Sequence, residues 1–223
     1  MEKSMAGAAK GHLIQRTVIG VFGNKQHGKD TTSLLIAELL RARGRRATTF
    51  ALADPLKHVA KYLLGMPEHI AWGDAGGADV ARREAERIAW NRYGKNAREW
   101  MQWIGTELGR DQISENLWVD RAVDRVVDDT EGHEYFLVTD CRFHNERNNL
   151  RTKLAQRFAR FTPIRVYRPG IPVDTSHRSE AEVASMEASL FDYVIDNDSD
   201  LNGLRASVER YVSDELGVRG GVA

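Results

Sequence analysis

Apolar residues in this chain follow two rhythms. Some form short unbroken runs, and others recur every three or four positions over longer stretches. Five of the short runs predict strands: 17–22, 47–52, 135–139, 164–167 and 193–196. Helical periods fall between them at 31–43, 96–110, 117–128, 144–160 and 201–216, the first stopped by Gly44. Strands that are apolar throughout and alternate with helices predict an α/β fold in which helices cover both faces of a parallel sheet.

The helical patterns also predict which faces are buried. Over 96–110, Trp100, Met101, Ile104 and Leu108 share one arc, while Arg98, Gln102 and Thr106 recur at four-residue spacing on the other. Over 117–128 the inward set is Val119, Ala122, Val123, Val126 and Val127; over 144–160 it is Leu150, Leu154 and Phe158. The closing helix runs on the period of Leu204, Val208, Tyr211 and Val212.

Four segments lack such a pattern. Residues 1–16 and 217–223 are expected to be loose tails around a single domain over 17–216. Residues 65–97 are interrupted by Gly73, Gly76 and Gly77 around a charged helix, and read as a variable insertion or flap. The polar stretch 169–188 has the composition of a lid, with His177 able to bond a phosphate.

The most informative chemistry lies where the first strand meets the first helix. Gly23-Asn24-Lys25-Gln26-His27-Gly28-Lys29 fits the G-x-x-x-x-G-K phosphate loop, with a strand before it and a helix after it. Glycines at both ends let the backbone curl so that successive N–H groups face one point, and the helix start adds its unpaired amides. Lys29 supplies a full charge. The hydroxyl that usually follows the lysine is replaced by Asp30, with Thr31 next, so either could meet a Mg²⁺ ion.

Other candidates sit at strand ends, where parallel sheets place their clefts. Asp54 precedes Pro55 and is either a helix cap or a substrate contact. Asp140, followed by Arg142, is either a cap with Glu146 and Arg147 exposed beyond it, or a group that holds a Mg²⁺ water shell or a sugar hydroxyl. Trp118 is either a core anchor or a pocket wall.

Composition narrows the classes. In 223 residues, 32 Lys and Arg balance 32 Asp and Glu, so no global basic field exists for stable nucleic-acid binding. Cys141 is the single cysteine, which excludes an internal disulfide and suits a reducing cytoplasm. No apolar run has the length of a membrane span, and no His or carboxylate spacing suits zinc.

Taken in order, GNKQHGKDT, ADPLK, REWMQWIGTELGR, LWVDRAV, FLVTDCRFHNE, VYRPG, SHRSEAE and IDND resemble the deoxynucleoside monophosphate kinases of tailed bacteriophages, over residues 17 to about 212. The resemblance implies a P-loop kinase sheet in the order 2-3-1-4-5 with a small lid. It implies ATP and Mg²⁺ as cofactors and a deoxynucleoside 5′-monophosphate as acceptor. Lys29 and the 23–31 backbone would hold ATP, with Arg168 and Asn197 beside its adenine. Asp30, Thr31 and Asp140 would serve the metal. Arg142 and Arg98 would grip the acceptor phosphate, and Gln102, Thr106 and Trp118 would line its base and sugar, with Asp54, Lys57, Asp140 and Glu146 on the same side. Arg178 would reach the transferring phosphate from the lid. An infected host cytoplasm and a homodimer are the expected setting. Two rival outputs of the same loop are phosphorylation of modified bases within DNA and a nucleotide-switch ATPase.

Overall fold

The computed structural model describes residues 16–72, 80–173, 175 and 178–219. The expected N-terminal tail up to residue 15, Gly73, Gly76, Gly77, His177 and the last four residues lie outside that set. Five strands form one parallel sheet: β1 (Thr17–Phe22), β2 (Ala47–Phe50), β3 (Tyr135–Cys141), β4 (Arg160–Tyr167) and β5 (Tyr193–Asp196). Their spatial order is β2-β3-β1-β4-β5, the predicted one.

Alternation along the central strands divides the core. Val18, Phe22, Phe136 and Val138 face one cluster, and Ile19, Val21, Leu137 and Ile164 the other. The second face is covered by α1 (Lys29–Ala42) through Leu35, Ile36 and Leu40, and by α8 (Leu201–Arg210) with its extension over Tyr211–Glu215. The first is covered by α2 (Asp54–Leu64), α5 (Leu117–Val127) and α6 (His144–Ala155). Two further helices belong to the segments read as insertion and lid: α3 (Val80–Ala89) and α7 (Arg178–Ser185). No helix among the described residues is long and apolar enough to cross a membrane.

Several expectations need correction. Strand β4 begins four residues earlier than its apolar run, and Pro163 lies inside it. Pro163 turns its polar edge towards β5, where its carbonyl accepts the Asp192 N–H at 2.8 Å, but β5 starts pairing only at Ile164, so no strand residue there calls for the missing N–H. Helix α6 stops at Ala155. The chain then turns through Phe158 at φ 58°, Ala159 N–H bonds the Leu154 carbonyl at 3.0 Å, and Phe158 is 86% exposed, not inward. Val127, the last residue of α5, is also exposed.

The helix read over 96–110 is α4 (Ala97–Trp103), capped by Asn96 and Glu99, and it widens into a π-helix from Ile104 to Ile113. Trp118 explains the widening. Its indole N–H donates to the Gly105 carbonyl at 2.8 Å, and its ring lies 2.4 Å from where a Cβ on Gly109 would stand. Trp118 is therefore a buried anchor and not a pocket wall. Of the predicted arc, Ile104 is fully buried and Trp100, Met101 and Leu108 are partly so, with Gln102 and Thr106 exposed opposite.

Candidate active site

The loop between β1 and α1 is tight enough to require both its glycines. Gly23 has φ 154°, and a Cβ there would lie 2.5 Å from the Val166 carbonyl; Gly28 has φ 96°, with Asn197 Nδ2 at 2.6 Å from the same point. The first hydrogen bond of α1 runs from Thr32 N–H to the Gly28 carbonyl at 2.9 Å, so the amides of Lys29, Asp30 and Thr31 stand ahead of it. Lys25, Gln26, Asp30 and Thr31 are exposed at the mouth, whereas Asn24, His27 and Lys29 are buried.

Strand ends brace the loop from beneath. Asn197, at the end of β5, donates its amide N–H to the His27 carbonyl at 3.1 Å. Expected beside a base, it supports the loop backbone from beneath. Arg168 donates its backbone N–H to His27 Nδ1 at 3.3 Å, while the His27 ring packs edge-on against Tyr167. Burial, then Lys29, hold the His27 pKa down, so the ring is neutral in its place under the loop.

Lys29 hooks back across the loop and donates from Nζ to the Asn24 carbonyl at 3.0 Å. Burial, seconded by the Arg142 charge, lowers its pKa to about 8. A cation held at such a cost is poised for an anion that would offset it.

Arg142 approaches the same loop from the end of β3. Its side chain pairs with Glu180 on α7 and lies 3.4 Å from Ser179 Oγ. Glu180 also accepts the Lys25 N–H at 2.8 Å and the Asn24 amide at 3.1 Å, so one carboxylate joins the loop to the arginine. Glu146 fixes the turn that carries Arg142. It accepts the backbone N–H groups of Arg142 at 2.7 Å and Phe143 at 3.0 Å, and it pairs with Arg110 at 2.7 Å. It is buried, neither exposed nor open to a ligand as expected. Burial pushes its carboxyl up, and Arg110 and those two amides pull it back. Arg110 lies over the Phe143 ring at 4.1 Å and Arg178 over the same ring at 5.8 Å, so three guanidinium groups gather around this turn.

Asp140 is not the cap of the following helix, whose N-cap position is Phe143. The pairing of β1 with β3 steps from Gly20–Val138 to Phe22–Cys141, and this bulge re-aims the residue before Cys141. Its two carboxylate oxygens accept the backbone N–H groups of Leu52 at 2.6 Å and Ala53 at 3.1 Å. The acid thereby fastens the turn after β2. Burial raises its pKa against the pull of the Leu52 amide and Lys57. Asp54 likewise accepts Ala51 N–H at 2.9 Å and pairs with Lys57 at 3.3 Å, serving the start of α2.

Arg98 is engaged by the insertion. It pairs with Glu84 of α3 at 2.6 Å, tying the insertion to α4. Gln102 and Thr106 share its exposed stripe on a helix that packs against α2, where Gly105 faces Leu56. Sequence reasoning missed the roles of Glu180 and Arg110, although both stand inside the runs SHRSEAE and REWMQWIGTELGR.

Comparison with known proteins adds to this geometry. The profile of a family described as deoxynucleotide monophosphate kinase matches residues 78–208. A protein of Acanthamoeba polyphaga mimivirus that carries the provisional name deoxynucleotide monophosphate kinase is 28% identical over 189 residues, covering 81% of this chain and 88% of that one. Among solved structures, a sugar kinase from Janibacter sp. is 14% identical at TM-score 0.47, covering 94% of this chain and 98% of its own. The Mycobacterium tuberculosis APS kinase in complex with AMPPNP and APS is 14% identical at TM-score 0.45, with 91% and 98% covered.

Proposed function

The chain belongs to the deoxynucleotide monophosphate kinase family, and from that premise we propose that it moves the γ-phosphoryl group of ATP onto the phosphate of a deoxynucleoside 5′-monophosphate. The observation that carries this reading is that the loop, through the Lys25 N–H, and Arg142 converge on the Glu180 carboxylate, with Lys29 close enough to feel both charges. A donor polyphosphate on the amides and an acceptor phosphate on the guanidinium would then lie end to end.

In the step itself an oxygen of the acceptor phosphate forms a bond to the γ-phosphorus while the bond to the β–γ bridging oxygen breaks, leaving ADP and a deoxynucleoside diphosphate. The acceptor is already ionised, so positioning and charge neutralisation matter more than a general base. Lys29 and the amides of 28–31 bind the donor chain; Arg142 holds the acceptor and follows the charge as it spreads over the equatorial oxygens. Arg178, 5.8 Å from the Phe143 ring, is our choice for a second guanidinium at that centre.

Mg²⁺ fits the site through few protein contacts. Asp30 and Thr31 are exposed at the helix start, whereas Asp140 is occupied with backbone amides. An ion held by the phosphates and by Asp30, directly or through water, would neutralise charge on the donor. Gln102 and Thr106 remain our choices for the acceptor's base and sugar, and Arg168 for the adenine side. The setting we propose is the cytoplasm of an infected cell, supplying precursors for viral DNA synthesis.

The test is a panel of deoxy- and ribonucleoside monophosphates, with an oligonucleotide beside them, each given Mg²⁺ and ATP. Diphosphate should form with at least one deoxynucleoside monophosphate, and ADP release should rise when it is added. Transfer to the oligonucleotide alone would move the chain to the DNA-modifying rival. Slow hydrolysis indifferent to acceptors would make it a nucleotide switch.

The depressed pKa of Lys29 sets a pH dependence. Binding of ATP draws a proton onto Lys29 once pH exceeds about 8, so affinity should be level below that point. Above it, affinity should decline towards about tenfold per pH unit. Calorimetry from neutral to alkaline pH checks this, and an affinity that stays level well above pH 9 contradicts it.

A further inference from the structure

Glu180 stands in a chemically unusual place for a carboxylate. It lies on the phosphate loop itself, where it accepts the Lys25 N–H at 2.8 Å and the Asn24 side-chain N–H at 3.1 Å. Its other oxygen is paired with Arg142. The Asn24 amide also donates to the Glu180 main-chain carbonyl at 2.9 Å, so the first turn of α7 is seated on the loop by both backbone and side chain. The residue is buried. Two converging N–H donors and a guanidinium are what a bound phosphate oxygen would require.

We propose that Glu180 is a positioning residue that acts as an internal phosphate mimic, holding the loop and Arg142 together until a donor phosphate displaces it. The proposal rests on the kinase reading for the identity of the two ligands, and on the contacts above for the latch. A donor phosphate that takes the Lys25 N–H competes with the carboxylate for the same hydrogen and repels its charge. Once the Glu180 side chain turns away, Arg142 loses its counter-ion and is available to the acceptor phosphate. Glu182 accepts the His144 N–H at 2.8 Å, so α7 keeps its seat on the start of α6 while the Glu180 side chain moves.

Two consequences follow by linkage. Donor and acceptor bind synergistically, because whichever arrives first removes the carboxylate from the other's site, and the factor is the same in both directions. Each alone binds more weakly than the bare contacts allow, by the fraction of molecules whose latch is open.

The experiment uses the full chain and three probes: inorganic tripolyphosphate for the loop, AMPPNP for the donor, and a deoxynucleoside monophosphate for the acceptor. Calorimetry on the wild type should show AMPPNP tightening monophosphate binding at least about fivefold. In Glu180→Gln the carboxylate charge is gone, so tripolyphosphate should bind about tenfold tighter and the synergy should fall to about one. A Glu180→Gln protein that binds tripolyphosphate no better than wild type overturns the latch, as does a wild type that binds both nucleotides without synergy. Should Glu180→Gln not fold, Glu180→Asp, which keeps the charge but shortens its reach, is read by the same criteria. If no nucleotide binds but the tripolyphosphate gain appears, the latch stands and the substrate assignment falls.

Discussion

Arg142→Ala is expected to lower kcat by about 10³- to 10⁵-fold, the range measured when a guanidinium is withdrawn from a transferring phosphoryl group. The loss should concentrate in kcat and in the monophosphate KM, with the ATP KM little changed, because the loop amides and Lys29 hold ATP without it. The fold should survive. Glu180 retains the Lys25 and Asn24 donors when its arginine is gone, and Glu146 still accepts the backbone amides of the turn. Steady-state kinetics beside a thermal melt decide the matter: near-normal kcat in a folded variant removes Arg142 from the transfer step.

Lys29→Met should reduce turnover by about 10³-fold, on the scale of losing one preorganised charge donor from a water-poor site. Its effect on stability should run the opposite way. The folded protein holds the Lys29 ammonium at a pKa of about 8 against an ordinary 10.5. A depression of that size corresponds to roughly 3 kcal/mol of opposition to folding while the lysine is charged. The sign follows from proton counts: between about pH 8 and 10.5 the unfolded chain carries a proton that the folded one has released, so wild-type stability rises across that window and is reduced below it. Methionine keeps the packing and removes the charge. The variant should therefore melt at or above the wild-type temperature at neutral pH, and its extra stability should shrink as pH rises past 8. A variant that is both inactive and markedly less stable would show that Lys29 props the loop instead of waiting for an anion.

Much of this architecture was legible because short-range signals and long-range packing agree in it. β1, β5 and the phosphate loop carry their own evidence in apolar runs and glycines, and the sheet order came with the resemblance. What could not be read depends on pairings between distant segments. Pro163 looks like a strand breaker until the late start of β5 is known. Phe158 fits a helical period that α6 abandons three residues earlier. The widened turn at Gly105 and Gly109 is imposed by an indole from the next helix.

The site divides along the same line. Lys29 and Arg142 were visible as motif residues. Asp140 and Asn197, equally visible as polar groups at strand ends, prove to be fasteners for neighbouring backbone, a role set by a β-bulge in one case and by the crowding at Gly28 in the other. Glu180 carried no signal of its own. Its importance lies in meeting Lys25 from 155 positions away, which no local pattern encodes.

The central claim is that donor and acceptor phosphates meet between the loop amides and Arg142. It is tested most directly with a bisubstrate compound, adenosine joined to a deoxynucleoside through five phosphates, titrated into the full chain. One molecule should bind per chain at least about a hundredfold tighter than ATP, as expected for a ligand that spans both halves of a transfer site, and it should displace both AMPPNP and the monophosphate. Binding no tighter than ATP, or displacement of one nucleotide while the other stays, would contradict the account.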